Sequence, residues 1–269
     1  MKSAILIFFI AVSVPTLGQN DLQEFYVRYG LKGSTTVYDY KNAIWFFSDK
    51  NDAETATLPA STFKIPNSLI ALEFKAIKDG SEVLKWDGEA KKHLGAVVES
   101  WNADTDLNQA FKNSTVWFYE KIAERIGRDQ YEEILRLSDY GNLNLSEPGP
   151  DFWNYGEFAI TPKNQIEFLI KLYEDQLPFS ENNMKTVKEL MVSENSGAHV
   201  LRGKTGWTRV DGVDFGWWVG YLELEDNLYF FATRLLRYGD ENLGNFLRGR
   251  KEITQSILEY LIEKTKASE

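Results

Sequence analysis

A chain of 269 residues with 43% hydrophobic and 14% aromatic content can bury a large core, as one domain or two interleaved lobes. Its formal charge of −10 repels phosphate backbones and argues against nucleic acid as a partner. The absence of cysteine rules out disulfides, thiolate catalysis, thiolate metal sites and a lipid-modified N-terminal cysteine, and two histidines, His93 and His199, leave little for a Ser-His-Asp triad or a multi-histidine metal centre.

The chain opens with Met1-Lys2-Ser3, an apolar run from Ala4 to Val14, then Pro15 and Leu17-Gly18. A basic start, an apolar core shorter than the ~20 residues of a spanning helix, and the small residues Thr16 and Gly18 ahead of a cleavage point after Gly18 predict a signal peptide over residues 1–18. The mature chain, 19–269, is then expected to be exported and periplasmic, with no membrane segment. Losing Lys2 takes its formal charge from −10 to −11.

Ser34 to Tyr40 and Ala43 to Phe47 are β-rich runs joined by Lys41-Asn42, which predicts a hairpin. Next comes Ala60-Ser61-Thr62-Phe63-Lys64-Ile65-Pro66, and the apolar spacing that continues to Phe74 predicts a helix opening at this run. Residues i and i+3 on a helix lie about 5–6 Å apart, so the Lys64 amine can reach the Ser61 hydroxyl as base to nucleophile, at the positive end of the helix dipole. S-x-x-K arises by chance roughly once in a chain of this size, so its weight depends on the motifs that accompany it. His93, in the polar run Ala90 to His93, and His199, ahead of a strand, read as surface residues, which leaves the lysine as the base for Ser61.

From about Ser81 to Ser193 the periodicity turns helical, with segments over Thr115 to Arg125, Asp129 to Leu137, Pro162 to Leu177 and Ser180 to Val192. Thr161 and Ser180 carry start signals. Strands resume at Ala198 to Gly206, Phe215 to Leu222 and Leu228 to Arg234, and a closing helix is predicted from about Arg250 to Lys264. The order predicts an α+β fold: an antiparallel sheet flanked by helices, with an inserted helical lobe over roughly 81–193 and a cleft between them.

Lys204-Thr205-Gly206 falls on an expected edge strand, where a lysine and a hydroxyl can hold a carboxylate and a glycine lets backbone N–H groups approach a reacting carbonyl. Its pairing with an upstream S-x-x-K is a signature of serine β-lactamases and penicillin-binding proteins. The chain lacks the serine-aspartate-asparagine element of class A enzymes, since Ser138-Asp139-Tyr140 has no asparagine. It offers instead Ser114-Thr115-Val116, Tyr140-Gly141-Asn142, Phe152-Trp153 and Trp217-Trp218-Val219-Gly220, together with Lys85-Trp86-Asp87-Gly88. With Ser61 to Lys64 and Lys204 to Gly206 in their places, the chain resembles the class D, oxacillinase-type serine β-lactamases over roughly residues 22–265.

The resemblance implies roles residue by residue. Ser61 would open the lactam, Lys64 would act as the base after carboxylation by CO2, and Ser114 would relay a proton to the leaving nitrogen. Phe63, Val116 and Trp153 would wall the lysine, with the Trp153 indole hydrogen-bonding the carbamate. Lys204 and Thr205 would hold the substrate carboxylate, and the backbone N–H groups of Ser61 and Trp207 would form the oxyanion hole. Arg250, with Arg248 as its rival two residues away, would join the carboxylate anchor, while Tyr140 to Asn142 would be mainly architectural. One position departs from the family: Asn154 stands where leucine is usual, and a polar amide there would wet the lysine pocket unless it points away. The implied function is hydrolysis of β-lactams through an acyl-enzyme, with no metal or organic cofactor and CO2 on Lys64 as the one addition. A penicillin-binding transpeptidase or carboxypeptidase, or a β-lactam sensor acylated without turnover, is the alternative, and the chain would work as a monomer or homodimer.

Overall fold

The computed structural model describes residues 19–266, so the leader expected over 1–18 lies outside the described residues. Helix α1 (Gln19–Tyr29) leads into strands β1 (Lys32–Asp39) and β2 (Ile44–Phe47), the hairpin that the β-rich runs predict. A short helix α2 (Lys50–Ala53) precedes a 3-10 turn over Ala60–Phe63, which passes directly into α3 (Lys64–Glu73). At the far end, β6 (His199–Val210), β7 (Val213–Leu224) and β8 (Leu228–Tyr238) form a meander, and β5 (Val192–Asn195) adds to its outer edge. All pairings are antiparallel, in the order β2-β1-β8-β7-β6-β5.

The two faces of the sheet bury different material. Helix α1 and the closing helix α9 (Leu243–Lys266) cover one face, where Trp218, Phe231 and Leu235 pack with Phe246, Ile253 and Ile257. The other face meets the helical lobe, and Trp217, Val219 and Phe230 join a core with Phe63, Phe118 and Trp153. The lobe contains α4 (Leu107–Asn113), α5 (Val116–Ile126), α6 (Arg128–Ser138), α7 (Pro162–Tyr173) and α8 (Glu181–Leu190). The start signals act as expected: Thr161 accepts from the Asn164 N–H and Ser180 from the Asn183 N–H.

Several boundaries depart from the periodicity. The lobe is interrupted by a two-stranded hairpin, β3 (Lys92–His93) and β4 (Ala96–Val97), because Leu94-Gly95 takes positive φ at both turn positions. Helix α7 stops at Tyr173, where Asp175 turns into the left-handed region. Helix α8 stops at Leu190, since the chain from Val192 onward pairs with β6 instead. Helix α9 begins at Leu243 rather than near Arg250, which changes the geometry of both arginines. Strand β6 is therefore an edge only in part: β5 covers it up to Arg202, and the edge opens at the stretch carrying Lys204 to Gly206.

Close packing of β6 on β7 sets the position of that open edge. Gly203 pairs with Gly220, and a Cβ on Gly220 would lie 2.0 Å from the Arg202 carbonyl oxygen and 2.7 Å from the Gly203 Cα. Gly220→Ala is therefore expected to push the strands apart beside Lys204 and to destabilise the fold by about 1–3 kcal/mol or more, read as a lower urea midpoint. A change below about 0.5 kcal/mol would mean the strands separate freely there.

Candidate active site

The turn that carries Ser61 is held under backbone strain. Ala60 adopts φ +51, a left-handed conformation that costs a non-glycine residue roughly 1–2 kcal/mol, and its N–H is tied to the Trp153 carbonyl at 3.0 Å. Thr62 Oγ1 donates to the Pro59 carbonyl at 2.7 Å and accepts from Gln165 Nε2 at 2.9 Å, so the turn is anchored on both sides of Ser61. Ser61 is 8% exposed, with α3 beginning three residues on, and Lys64 is fully buried. Their Oγ and Nζ are hydrogen-bonded at 3.1 Å, the contact that the i, i+3 spacing predicts.

Burial lowers the Lys64 pKa from 10.5 to about 7, and the carboxylates of Glu120 and Asp151 oppose that shift from a distance. Near neutral pH the amine is thus about half deprotonated and available as a base. Phe63 and Trp153 stack at 5.2 Å with 16° between their planes, both fully buried, and Val116 is buried at the first turn of α5. Tyr119, three residues after Val116, places its ring 4.9 Å from the Lys64 Nζ and hydrogen-bonds Ser68 through its hydroxyl at 2.9 Å. The Trp153 Nε1–H is buried without a partner.

Asn154 is also buried, at 4% exposure. Its N–H donates to the Asp151 carbonyl at 2.8 Å, its carbonyl accepts from Thr208 Oγ1 at 3.0 Å, and its side-chain amide favours the charged form of the Asp151 carboxyl. Burial nonetheless raises the Asp151 pKa, and Glu120 is likewise raised by burial and by Asp151.

A second serine–lysine pair faces the first. Ser114 ends α4 in a left-handed conformation, φ 57, and Thr115 starts α5, so Ser114 occupies a corner between two helices. Lys204 Nζ donates to Ser114 Oγ at 2.5 Å and to the Thr205 carbonyl at 3.1 Å. Burial holds Lys204 well below the ordinary lysine range, and the positive charges of Lys64, Arg250 and Lys251 push the same way. Strand β6 lies against the Ser61 turn through Gly206, where a Cβ would come within 2.9 Å of the Pro59 oxygen and 3.2 Å of the Thr62 nitrogen. Trp207 follows immediately, and its indole donates to Asp214 Oδ1 at 3.1 Å.

The two arginines part company once they are helical. Residues two apart on a helix point to nearly opposite sides, so the two rivals face different surroundings. Arg250 turns toward β6 and donates from Nη1 to the Gly206 carbonyl at 2.8 Å, with its pKa lowered to about 10 by burial. Arg248 is exposed and hydrogen-bonds Asn245 at 2.9 Å. His93 also departs from the expectation of a surface residue. The β3–β4 hairpin leans across to β6, putting His93 Nε2 at 3.2 Å from the Trp207 carbonyl and its ring 5.4 Å from Trp207 and 5.8 Å from Trp101; burial lowers its pKa. The polar residues around His93 in the sequence hid this contact, while Tyr119 carried a signal in its helical spacing from Val116. Tyr140 packs on Phe63 at 5.8 Å and hydrogen-bonds Gln165, a supporting place behind the Ser61 turn.

The burial of Lys64 has a measurable cost. In the unfolded chain the amine titrates near 10.5 and in the folded chain near 7, so between these values the unfolded state binds more protons and stability rises with pH. The penalty is full, roughly 5 kcal/mol, below pH 7 and fades toward pH 10.5. In CO2-free buffer Lys64→Met should therefore stabilise the protein more at pH 6 than at pH 9.5, by about 3 kcal/mol in urea unfolding. Equal gains at both pH values would show an ordinary lysine.

The chain is similar to known proteins over most of its length. Residues 17–259 match the family described as the penicillin-binding protein transpeptidase domain. "Beta-lactamase OXA-48" of Klebsiella pneumoniae is 37% identical over 227 residues, 84% of this chain and 82% of that protein. The crystal structure of a class D β-lactamase from Sebaldella termitidis superposes with a TM-score of 0.84 at 42% identity, covering 90% of this chain and 95% of that one. The regulatory protein BlaR1 of Bacillus licheniformis is 32% identical over 216 residues, 80% of this chain but 35% of that protein. With its buried lysine beside a serine on a strained turn and its second serine–lysine pair on the open edge of the sheet, the chain belongs to the class D β-lactamases of the penicillin-binding transpeptidase family.

Proposed function

We propose that this protein hydrolyses β-lactam antibiotics through an acyl-enzyme on Ser61. The observation that carries the reading is Lys64, fully buried and hydrogen-bonded to Ser61 at 3.1 Å with its pKa lowered to about 7. Ser61 attacks the lactam carbonyl while the Lys64 side chain takes its proton, and the ring C–N bond breaks as Ser114, backed by Lys204, returns a proton to the nitrogen. The backbone N–H groups of Ser61 and Trp207 receive the oxyanion, and Lys204, Thr205 and Arg250 hold the ring carboxylate. A water activated on the Lys64 side then hydrolyses the ester.

The same pocket fits a carbamate on Lys64. A neutral amine is the form that captures CO2, and the buried, unpartnered Trp153 Nε1–H is a donor suited to a carbamate oxygen. CO2 bound there would supply an anionic base beside Ser61. Phe63, Val116 and Tyr119 keep the surroundings apolar. A sensor acylated without turnover is the second reading, favoured by the likeness to BlaR1. We further propose that the chain is exported; no described helix is long and apolar enough to cross a membrane.

Turnover of a chromogenic cephalosporin by the purified protein tests the main reading, and a single stoichiometric burst with no further hydrolysis would favour the sensor. Activity should fall in degassed, bicarbonate-free buffer and recover on adding bicarbonate, while Lys64→Ala should not turn over; full activity without CO2 would return the base role to the free amine. Trp153→Phe keeps the ring but loses the N–H, so it should raise the bicarbonate concentration needed for recovery.

Arg250→Ala should raise KM by an amount worth about 1.5–3 kcal/mol with little change in kcat. Arg248→Ala should leave KM alone, and the reverse result would move the anchor to Arg248.

A further inference from the structure

Beyond Lys204 the open edge of β6 continues into a cavity of about 470 Å³, within the range of small-molecule sites. Its lining includes Lys204 and Thr205 but not Ser61 or Trp207, so it extends past the carboxylate anchor rather than over the nucleophile. Two further lysines face it, Lys112 from the last turn of α4 and Lys251 from α9, against one acid, Glu189. The chain as a whole carries a charge of −10, which makes a cavity with three lysines and one carboxylate an exception on its surface.

None of these lysines is paired with a carboxylate among the described residues. Lys204 spends its donors on Ser114 Oγ and the Thr205 carbonyl, and Lys251 lies 5.6 Å above the Trp218 ring. Arg250, beside Lys251 in sequence, is likewise satisfied by carbonyl oxygens, those of Leu247 and Gly206. Lys251 and Arg250 each disfavour the charged form of Lys204, the mark of cations gathered without a counter-ion. One bound carboxylate neutralises one of these charges and leaves the others.

We propose that this cavity is a second anion subsite, which accepts an acidic group carried on the substrate next to its ring carboxylate. The proposal rests on the β-lactam reading above. With the ring carbonyl at Ser61 and the ring carboxylate at Lys204, Thr205 and Arg250, the group that enters past Lys204 is the substituent on the neighbouring ring carbon, the C3 position of a cephalosporin. A sulfonate or carboxylate there would lie between Lys112 and Lys251, with Glu189 opposing it. The substrate class selected is thus the dianionic cephalosporins.

The test uses two cephalosporins that share the same 7-acylamino group and the same C3 tetrazolylthiomethyl group, and differ only in N-methyl or N-sulfomethyl on the tetrazole. At low ionic strength the sulfonate should show a kcat/KM about tenfold higher, mostly through KM, and salt should erode the advantage. In a Lys112→Gln/Lys251→Gln variant the ratio should fall to about one, with the N-methyl substrate's kcat/KM unchanged within about twofold; Glu189→Gln should widen it. A ratio near one in the parent protein, or an advantage that persists in the double variant, overturns the subsite. If the N-methyl compound is hydrolysed and the sulfonate gains nothing, the subsite alone fails. If neither compound is hydrolysed, the β-lactam reading fails and takes the subsite with it.

Discussion

A lysine with no carboxylate in ion-pair contact among the described residues, fully buried and hydrogen-bonded to Ser61, is the constraint on which the rest of this structure depends. An ammonium in such a place costs several kcal/mol, and the chain carries that cost where a methionine of similar size would remove it. Everything around Lys64 keeps water out or keeps the amine in reach of Ser61. The Phe63–Trp153 stack, the Tyr119 ring and Val116 do the first; the Ala60 turn, anchored to the Trp153 carbonyl and through Thr62 to Gln165, does the second. Trp153 serves both ends, since its ring is wall, its carbonyl is anchor and its N–H is free.

The rest of the site is electrostatic. Lys204 lies in the field of Lys64 and Arg250, whose positive charges disfavour its own, and the hydrogen bonds that Lys204 and Arg250 donate run to neutral oxygens. On the proposed function of this site, the same repulsion that destabilises the free protein would strengthen binding of an acidic substrate. Placing it on the unpaired edge of β6, beyond the end of β5, leaves room for that anion and for the cavity behind it.

Asn154 illustrates how a departure from family pattern is only half satisfied. The sequence raised the prospect of a wet lysine pocket. In the fold the residue is buried, its backbone bridges Asp151 and Thr208, and its amide steadies the Asp151 carboxyl. The amide oxygen has no hydrogen-bond partner among the described residues, and the side chain borders a partly buried acidic neighbourhood of Asp151 and Glu120, two carboxyls whose pKa values burial raises.

Much of the fold was legible in the residues alone, because its signals are local. Alternating and 3.6-residue patterns located the hairpin, the meander and most of the lobe; Thr161 and Ser180 marked helix starts; and the i, i+3 spacing put Lys64 on Ser61. The motifs, taken with the family they resemble, also named Ser114 and Lys204, but in separate roles; that the two side chains meet, ninety residues apart, is something no local rule yields. What the chain by itself left open is what depends on distant packing. Whether Arg248 or Arg250 faces the cleft turned on where α9 begins, and a helix starting at Leu243 separates two residues that an extended segment would have aligned. His93 looked like a surface residue because its sequence neighbours are polar, yet the Leu94-Gly95 turn carries it across to the Trp207 carbonyl. The lysine's lowered pKa belongs to the same group: a sequence can place an amine next to a hydroxyl, but only the assembled core, by excluding water from every side, makes that amine a base near neutral pH.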